Sequence, residues 1–499
     1  MTSFYLVLAK YLMIVLMALY TWESFSALKK RKLSAAKGIY VRQNILIYLL
    51  HFIGFSIIYI NNPADEIIIY YGIQLIYFVI VLGVFPIIYP QISRVVLANM
   101  CMLLAISFIV MTRLSYEKSI KQFAIVAITS AFSLIVPMLI SSVRIWHRMT
   151  WLYAIGGLAL LGVVLVLGQT SYGANLSISI GQISVQPSEF VKIMFVFFVA
   201  CMLYKSNDFK HVFITTAVAA AHVLILVASK DLGSALIFFV VYVFMLYIAT
   251  RKTGYLILGF GAGVAAAFVA VALFSHVRSR VETWLDPWSV IDDDGYQITQ
   301  SLFAISAGKW NGTGLYEGSP TSVPVVIKDL VFSAIAEEMG TVFAILLILV
   351  CLSCFLAFIK TSAELVNRFY KLIAFGLGIA YATQVFLTIG GAMNMIPLTG
   401  VTLPLVSYGG SSILSTLIVF AIIQGLVIVE SKEERGYVRE KKRKAAGRGQ
   451  SAVRESGRAA DISGKTQTRS NRKDAGAAKR RGSQGSGGAQ TSKRTKKTK

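Results

Sequence analysis

One polar stretch, Arg278 to Gly340, carries the residue types from which group-transfer chemistry is built. It opens on Arg278 and Arg280, gathers Glu282, Asp286, Asp292, Asp293 and Asp294, and ends on Asp329, Glu337 and Glu338. A carboxylate within hydrogen-bond reach of a hydroxyl can take its proton, and a cation stabilises charge on a leaving group. The bland alternative is that these acids form a solvated loop face. A loop of roughly fifty residues is usually functional or disordered. Trp284, Trp288, Tyr296, Phe303, Trp310 and Tyr316 oppose disorder. The stretch is therefore read as folded and functional.

Ionisable residues inside apolar segments are the second group of candidates, because a charge at membrane depth is costly. Gln186-Pro187-Ser188-Glu189 opens one apolar run, with Lys192 a turn further in. Proline is tolerated at a helix start, and Glu189 suits its positive end. Glu189 and Lys192 are three apart, so they either pair with each other or meet a ligand. Lys230-Asp231 precedes Gly233-Ser234, as a helix cap or as part of an outward-facing site. Asp329, Ser333 and Glu337 are four apart, so one helix through all three would stack them on one face. Glu338 would point about 100° away from Glu337. Asn394 to Ser412 holds two prolines and three glycines. It reads as a re-entrant or surface loop, either lining a cavity or serving as a tight structural link.

These residues hang on a membrane scaffold. The chain has 499 residues, 56% apolar and 14% charged, with a mean hydropathy of +0.68. Those values describe a polytopic membrane protein. Apolar runs of spanning length lie near 5–22, 43–60, 67–89, 94–112, 122–142, 151–168, 189–204, 212–228, 232–249, 254–275, 329–359, 371–391 and 406–430. The predicted fold is all-α, with about 13 transmembrane helices and a large external loop. The first run lacks a basic leader and is followed by Lys29-Lys30-Arg31-Lys32, unlike a cleavable signal. Lys/Arg clusters at 29–42, 144–148, 205–210, 251–252 and 368–371 alternate along the chain and share a side with the C-terminal tail. That side is cytoplasmic, which places 276–327 outside. One loop, 113–121, breaks the rule with Arg113, Lys118 and Lys121 outside.

The net charge of +24 is mostly a tail. Residues 431–499 hold 22 Lys/Arg against 6 Asp/Glu, a net of +16, which leaves +8 for the other 430 residues. The tail has almost no large apolar side chains, so disorder near anionic headgroups is expected of it. Nucleic-acid binding by the main body is not implied. Cys101, Cys201, Cys351 and Cys354 lie in apolar runs and read as buried thiols. A redox role for Cys351-x-x-Cys354 inside a spanning helix is the weaker reading.

Several motifs then point to one family. GYQITQSLFAI (295–305), GTGL (312–315), KDLVFSAIAEEMG (328–340), QPSEFVK (186–192), KDLGSAL (230–236) and NMIPLTGVTLPLVSYGGSS (394–412) closely resemble the shape, elongation, division and sporulation family. Its members include FtsW, RodA and SpoVE. The resemblance covers roughly residues 94–430, or ten spans. It divides the chain into extra membrane helices of unknown role (1–90), a glycosyltransferase core (91–430) and the basic tail (431–499). It implies a peptidoglycan glycosyltransferase of the bacterial plasma membrane that polymerises lipid II during division or elongation. It also implies a class B penicillin-binding protein as partner, beside membrane lipids. Two departures stand out. The family's Arg-Trp pair before QPSE is replaced by Ala174-Asn175-Leu176-Ser177-Ile178. Its essential aspartate, six residues before the Gly-Tyr tyrosine, is replaced by Val290.

In the implied reaction a sugar 4-hydroxyl attacks the anomeric carbon of a second lipid-linked disaccharide, and undecaprenyl pyrophosphate leaves. Asp286, which matches an earlier aspartate of many members, is the first candidate base and Asp292 the second. Asp286 precedes Pro287, which fixes the backbone, whereas Asp292 lies in a run of three acids before Gly295. Arg280 and Lys192 are candidates for the pyrophosphate. Glu189, Gln297, Asp329, Glu337 and Ser411 complete the expected substrate contacts. The sequence requires no cofactor, with Mg²⁺ or Mn²⁺ on loop acids as an option. Two rival readings are a lipid II flippase and an inactive scaffold of the wall-synthesis complex. The charge asymmetry makes a direct prediction. A membrane-impermeant thiol reagent added outside should label a cysteine placed near Ser289 and spare one near Ser431; the reverse pattern would overturn the topology.

Overall fold

The computed structural model describes residues 2–29, 37–143, 145–171, 174–180 and 183–437. Residues 30–32 of the first basic cluster, Arg144 and the tail from 438 onward lie outside the described residues. Among the described residues, 13 helices are long and apolar enough to cross a membrane, one for each run read from the sequence. The first are α1 (Thr2–Lys29), α2 (Lys37–Asn61), α3 (Asp65–Ile88) and α4 (Arg94–Leu114). The next span is broken into α5 (Tyr116–Ser133) and α6 (Val136–Ser142). Pro137 accounts for the break, since it lacks an N–H and its ring clashes with the carbonyl four residues earlier. Then come α7 (Thr150–Leu167), α8 (Pro187–Lys205), α9 (Phe209–Ala228), α10 (Leu232–Thr250) and α11 (Thr253–Leu273). The polar stretch folds into α12 (Ser275–Leu285), α13 (Tyr296–Gly308) and α14 (Val331–Met339). Spans α15 (Thr341–Glu364), α16 (Arg368–Ala392) and α17 (Gly410–Tyr437) follow.

The centre is α4. It is apolar on nearly every side and buried along almost its whole length, as a helix without a polar face must be if it does not face lipid. Helices α1, α2, α3, α5 and α15 pack around it. Its Asn99 is buried and fully used. Tyr20 and Ser24 of α1 donate to Asn99 Oδ1 at 2.9 and 2.8 Å, and Asn99 Nδ2 donates to Ser353 of α15 at 3.0 Å. With no water to substitute, such bonds fix the register of neighbouring helices. Hydrogen bonds Tyr70–Ser119 (2.9 Å) and Tyr77–Ser130 (2.8 Å) tie α3 to α5. The first three helices therefore form one flank of α4. At the other extreme, no residue of α11 is buried.

Three features depart from the sequence reading. The apolar run 329–359 is not one helix. It breaks at Gly340, whose φ of +91° is one that L side chains rarely adopt. A Cβ on Gly340 would lie 2.3 Å from the Gly312 nitrogen and 2.6 Å from the Trp310 carbonyl oxygen. The 309–314 segment fills the break instead, accepting from Thr341 N and Val342 N at 3.0 and 3.1 Å through the carbonyls of Lys309 and Trp310. Second, the polar 169–188 loop holds an antiparallel sheet of β1 (Gln169–Ser171), β2 (Ala174–Ile180) and β3 (Ile183–Val185). Ile178 pairs with Val185 and Ile180 with Ile183. The alternation Ile-Ser-Ile was the period-two signal for it. Third, the basic 113–121 loop is largely neutralised. Arg113 lies 2.9 Å from Glu338 and stacks 4.3 Å over the Tyr316 ring, and Lys121 pairs with Glu117 at 2.5 Å. All four cysteines are free and buried, so no Cys351–Cys354 disulfide forms.

The break at Gly340 predicts a large cost for one methyl group. Gly340→Ala should destabilise the protein by roughly 2–4 kcal/mol, from backbone strain plus overpacking. Gly254→Ala should be nearly silent, because a Cβ there meets nothing within 4 Å. Thermal melting of both variants in detergent checks this; equal melting temperatures would contradict it.

Candidate active site

Helices α5, α8, α10, α12 and α13, with segments 325–329 and 394–412, enclose a cavity of about 1550 Å³. Its lining mixes apolar side chains, among them Ile125 and Ile128 of α5, Phe190 of α8, Phe238 of α10 and Leu414 of α17, with charged and polar ones. Gln186, Lys230, Asp231 and the 276–298 segment lie on the side that the charge asymmetry places outside.

The cavity floor rests on a buried ion pair. Lys192 Nζ lies 2.8 Å from Glu189 Oε2, and the two residues are only 7% and 8% exposed. The pairing reading of this motif therefore prevails, and both side chains still line the cavity. Neither is satisfied by the other alone. Lys192 also donates to Gln384 Oε1 of α16 at 2.6 Å, and Ser415 of α17 donates to Glu189 at 2.8 Å. The Gln384 amide nitrogen in turn donates to the Thr402 carbonyl at 3.1 Å and to Ser412 Oγ at 3.3 Å. Helices α8, α16 and α17 thus clamp the 394–412 segment. Breaking such a pair leaves an uncompensated buried charge, at about 3–5 kcal/mol.

Two acids and an arginine stand above this floor. Asp231 caps α10, accepting from Ser234 N at 3.1 Å and from Ser188 Oγ at 3.0 Å. Its burial raises the carboxyl above the usual range against these bonds. Asp329 lies in the turn before α14, where burial raises its carboxyl while Lys328 and Arg280 oppose the shift. Arg280 donates to the Leu398 carbonyl at 3.1 Å. Burial lowers its guanidinium, and Asp329 and Asp231 counteract that. Gly400 faces Asp329: a Cβ there would come within 3.7 Å of Oδ2.

Of the residues singled out from the sequence, Arg280, Lys192, Glu189, Gln297, Asp329 and Ser411 meet in this cavity. Ser411 Oγ accepts from Gln186 N at 3.0 Å. Asp286, Asp292 and Glu337 are not among the lining residues. Asp286 ends α12, is exposed, and accepts from Ser289 N at 3.3 Å in a local turn. Asp292 is exposed. Glu337 turns the other way and accepts from Ser319 N at 2.7 Å, while Glu338 accepts from Tyr316 N at 3.1 Å. The two acids together hold the 309–320 segment. Burial pushes Glu338 up to about 7 although the Arg113 charge works against it. Ser333 and Glu337 share a face of α14, but Asp329 does not join them, because the helix starts only at Val331.

The sequence reading missed His276, Ser279 and Tyr408 as lining residues and left Lys230 open, whereas Asp293 and Asp294 were already counted among the acids of the polar stretch. The four-residue spacing of His276 and Arg280 was the available signal. Asp294 accepts from Ser279. The Val290 carbonyl accepts from Asp293 N at 3.1 Å and Gly295 N at 2.9 Å, which curls the chain and brings Asp293 and Asp294 to the cavity. Among the described residues, no three His, Cys, Asp or Glu side chains are grouped to hold a metal ion.

Comparison with known proteins places this geometry. The FtsW/RodA/SpoVE family model, described as cell cycle protein, matches residues 92–432. The peptidoglycan glycosyltransferase RodA of Mycobacterium tuberculosis is 35% identical over 313 residues, covering 59% of this chain and 66% of the relative. The probable peptidoglycan glycosyltransferase FtsW of Aeromonas salmonicida is 31% identical over 288 residues, covering 56% and 73%. The chain thus matches just under two thirds of the length of the RodA relative. A chain from a peptidoglycan synthase complex has the same fold, with a TM-score of 0.59 at 22% identity over 68% of this chain and 98% of that one. So does the rod shape determining protein RodA of Thermus thermophilus, with a TM-score of 0.51 at 20% identity over 68% and 97%. The α4–α17 body with its clamped cavity therefore has a name: the chain belongs to the FtsW/RodA/SpoVE family.

Proposed function

We propose that the chain is a peptidoglycan glycosyltransferase that polymerises lipid II at the outer face of the bacterial plasma membrane. The observation that carries this reading is the cavity, whose lining combines apolar side chains with charged ones. A substrate with a polyprenyl anchor and a sugar-diphosphate head needs both. The names of the RodA and FtsW relatives support the same reaction. The likeness to a chain of a peptidoglycan synthase complex favours a transpeptidase partner, read here as a class B penicillin-binding protein.

In this reading Asp329, rather than Asp286 or Asp292, is the general base. It lies in the cavity and they do not. Burial raises its carboxyl, which makes the ionised form a better proton acceptor than a solvated carboxylate. Asp329 takes the proton of the acceptor hydroxyl as that oxygen bonds to the donor's anomeric carbon. The bond from that carbon to the diphosphate oxygen breaks, and its electron pair leaves with the diphosphate. Arg280 supplies positive charge near the departing group. Gln297 and Ser411 line the same space and offer hydrogen bonds to the sugars. No step is routed through a metal.

The test is polymer length from labelled lipid II incubated with purified variants whose melting has been checked. Asp329→Asn should lose at least about a hundredfold in rate, the low end for removing a general base. Asp286→Asn and Asp292→Asn should stay within about threefold of the parent. The rate should fall on acidification through the raised Asp329 pKa, because the protonated carboxyl accepts nothing. A fully active Asp329→Asn beside an inactive Asp286→Asn would return the base to Asp286. Relocated but unpolymerised lipid II would indicate a flippase, and neither outcome a scaffold.

A further inference from the structure

The helices ahead of the family core contain one charge at membrane depth. Lys10 is the sole charged side chain between Met1 and Glu23, and it lies inside the first span, Phe4–Lys29. Its place is roughly 12 Å along α1 from Thr2, at 1.5 Å per residue. A cation at that depth is costly unless a polar group meets it. Lys10 Nζ donates to the Gly312 carbonyl at 3.0 Å, 302 positions further along the chain. Its stem lies against Gly314, where a Cβ would come within 3.9 Å of Lys10 Cδ. It also lies 5.4 Å from the centre of the Tyr11 ring. Among the described residues, no carboxylate lies within 4.0 Å of it. Apolar contact accompanies the bond. Met13 of α1, Ile57 of α2, Leu315 and Met339 line one small void of about 10 Å³ with Lys10 and Glu338.

What Lys10 holds is the segment that fills the break at Gly340. Thr313 N donates to the Glu337 carbonyl at 2.8 Å, and Gly314 N donates to the Glu338 carbonyl at 2.9 Å. The Gly312 C=O and the Thr313 N–H belong to one trans peptide, so they point opposite ways. That single peptide joins Lys10 on one side to the end of α14 on the other. Gly312 approaches α14 so closely that a Cβ there would lie 2.3 Å from the Glu338 carbonyl oxygen. Helix α14 is also pinned at its middle, where Ser333 bonds Ser301 of α13. A shift of the Glu338 end therefore tilts α14 about that point and displaces Asp329, which lies just before its start.

We propose that Lys10 is a positioning residue for the active site: through the Gly312–Thr313 peptide it fixes the end of α14 and hence the place of Asp329. This rests on the glycosyltransferase reading with Asp329 as base, and it gives the added N-terminal helices a part in the reaction. Lys10 is not among the residues that line the cavity. Its loss therefore changes the rate and leaves substrate affinity alone, as for an interaction that acts only in the transition state. Small movements suffice, since a misplacement of about 1 Å can cost about a hundredfold in rate. Arg113 also holds this region, through Glu338 and the Gly318 carbonyl, so the segment stays folded when Lys10 is replaced.

The experiment compares the full-length parent, Lys10→Met and Lys10→Arg in nanodiscs, by lipid II polymerisation kinetics and by amide hydrogen exchange. Methionine keeps the stem and loses the donor, whereas arginine keeps donor and charge. Lys10→Met should lower kcat at least about tenfold, as for loss of one charge-assisted hydrogen bond. Its KM should stay within about twofold of the parent. Exchange should quicken at 311–316 and 336–340 and stay unchanged in α2 and α3. Lys10→Arg should restore both rate and protection. An unchanged kcat, a rise in KM alone, or an arginine variant no better than methionine would overturn the role. So would exchange that quickens throughout α1–α4 with a lower melting temperature, which marks lost packing rather than lost position. If Lys10→Met does not fold, the parent decides. Thr313 and Gly314 amides exchanging as slowly as those of α14 would support the proposal, and exchange as fast as in the 286–294 loop would overturn it. A parent that makes no polymer, with the exchange difference present, would sink the glycosyltransferase reading and leave the coupling of Lys10 to α14 standing.

Discussion

A charge that leaves water must find a partner, and in this protein that constraint is met by Lys192. Its ammonium is shared between Glu189 on its own helix and Gln384 on α16. Gln384 then reaches the Thr402 carbonyl and Ser412. Through this amide the buried charge of α8 is tied to the 394–412 segment, which Thr388 and Ser107 also hold through the Val401 and Val406 carbonyls. That segment supplies Leu398 to Arg280 and places Gly400 against Asp329. The cavity's upper charges are therefore positioned by a pair they do not touch. An apolar replacement of the pair could be as stable, but it would not carry the relay to Gln384.

The same constraint organises the other end of the polar stretch. Glu338 is buried against Arg113 of α4, and its carboxylate collects the Tyr316 amide. Lys10 of α1 donates to the Gly312 carbonyl at 3.0 Å. The first helix thus touches the segment that plugs the break at Gly340. Serines 301 and 333 share a hydrogen bond of 2.5 Å between α13 and α14. Gln297 and Asp329 lie at the cavity end of this same pair of helices.

The spans were legible because lipid leaves the backbone no alternative to helix, and thirteen apolar runs became thirteen helices. The family was legible because its motifs are local. What the sequence hid was decided at long range. Whether Glu189 and Lys192 paired depended on Gln384, 192 residues beyond Lys192. The break at Gly340 depended on backbone from 309–314 entering an apolar run that reads as continuous. Asp286 looked better fixed than Asp292 because of Pro287. The Val290 carbonyl instead curled the loop so that Asp293 and Asp294 reached the cavity and Asp286 did not. Asp329 was noticed for a helical spacing it does not have, and it matters for where its turn places it.

The central claim is that the sugar-diphosphate head enters this cavity with Asp329 and Arg280 on either side of the reacting bond. An electron cryomicroscopy structure with a lipid II analogue carrying a non-cleavable phosphonate at the anomeric carbon tests it most directly. The account predicts the diphosphate within hydrogen-bond distance of Arg280 and the Asp329 carboxylate facing the sugar ring. A head group lying against Asp286, outside the cavity, would contradict it.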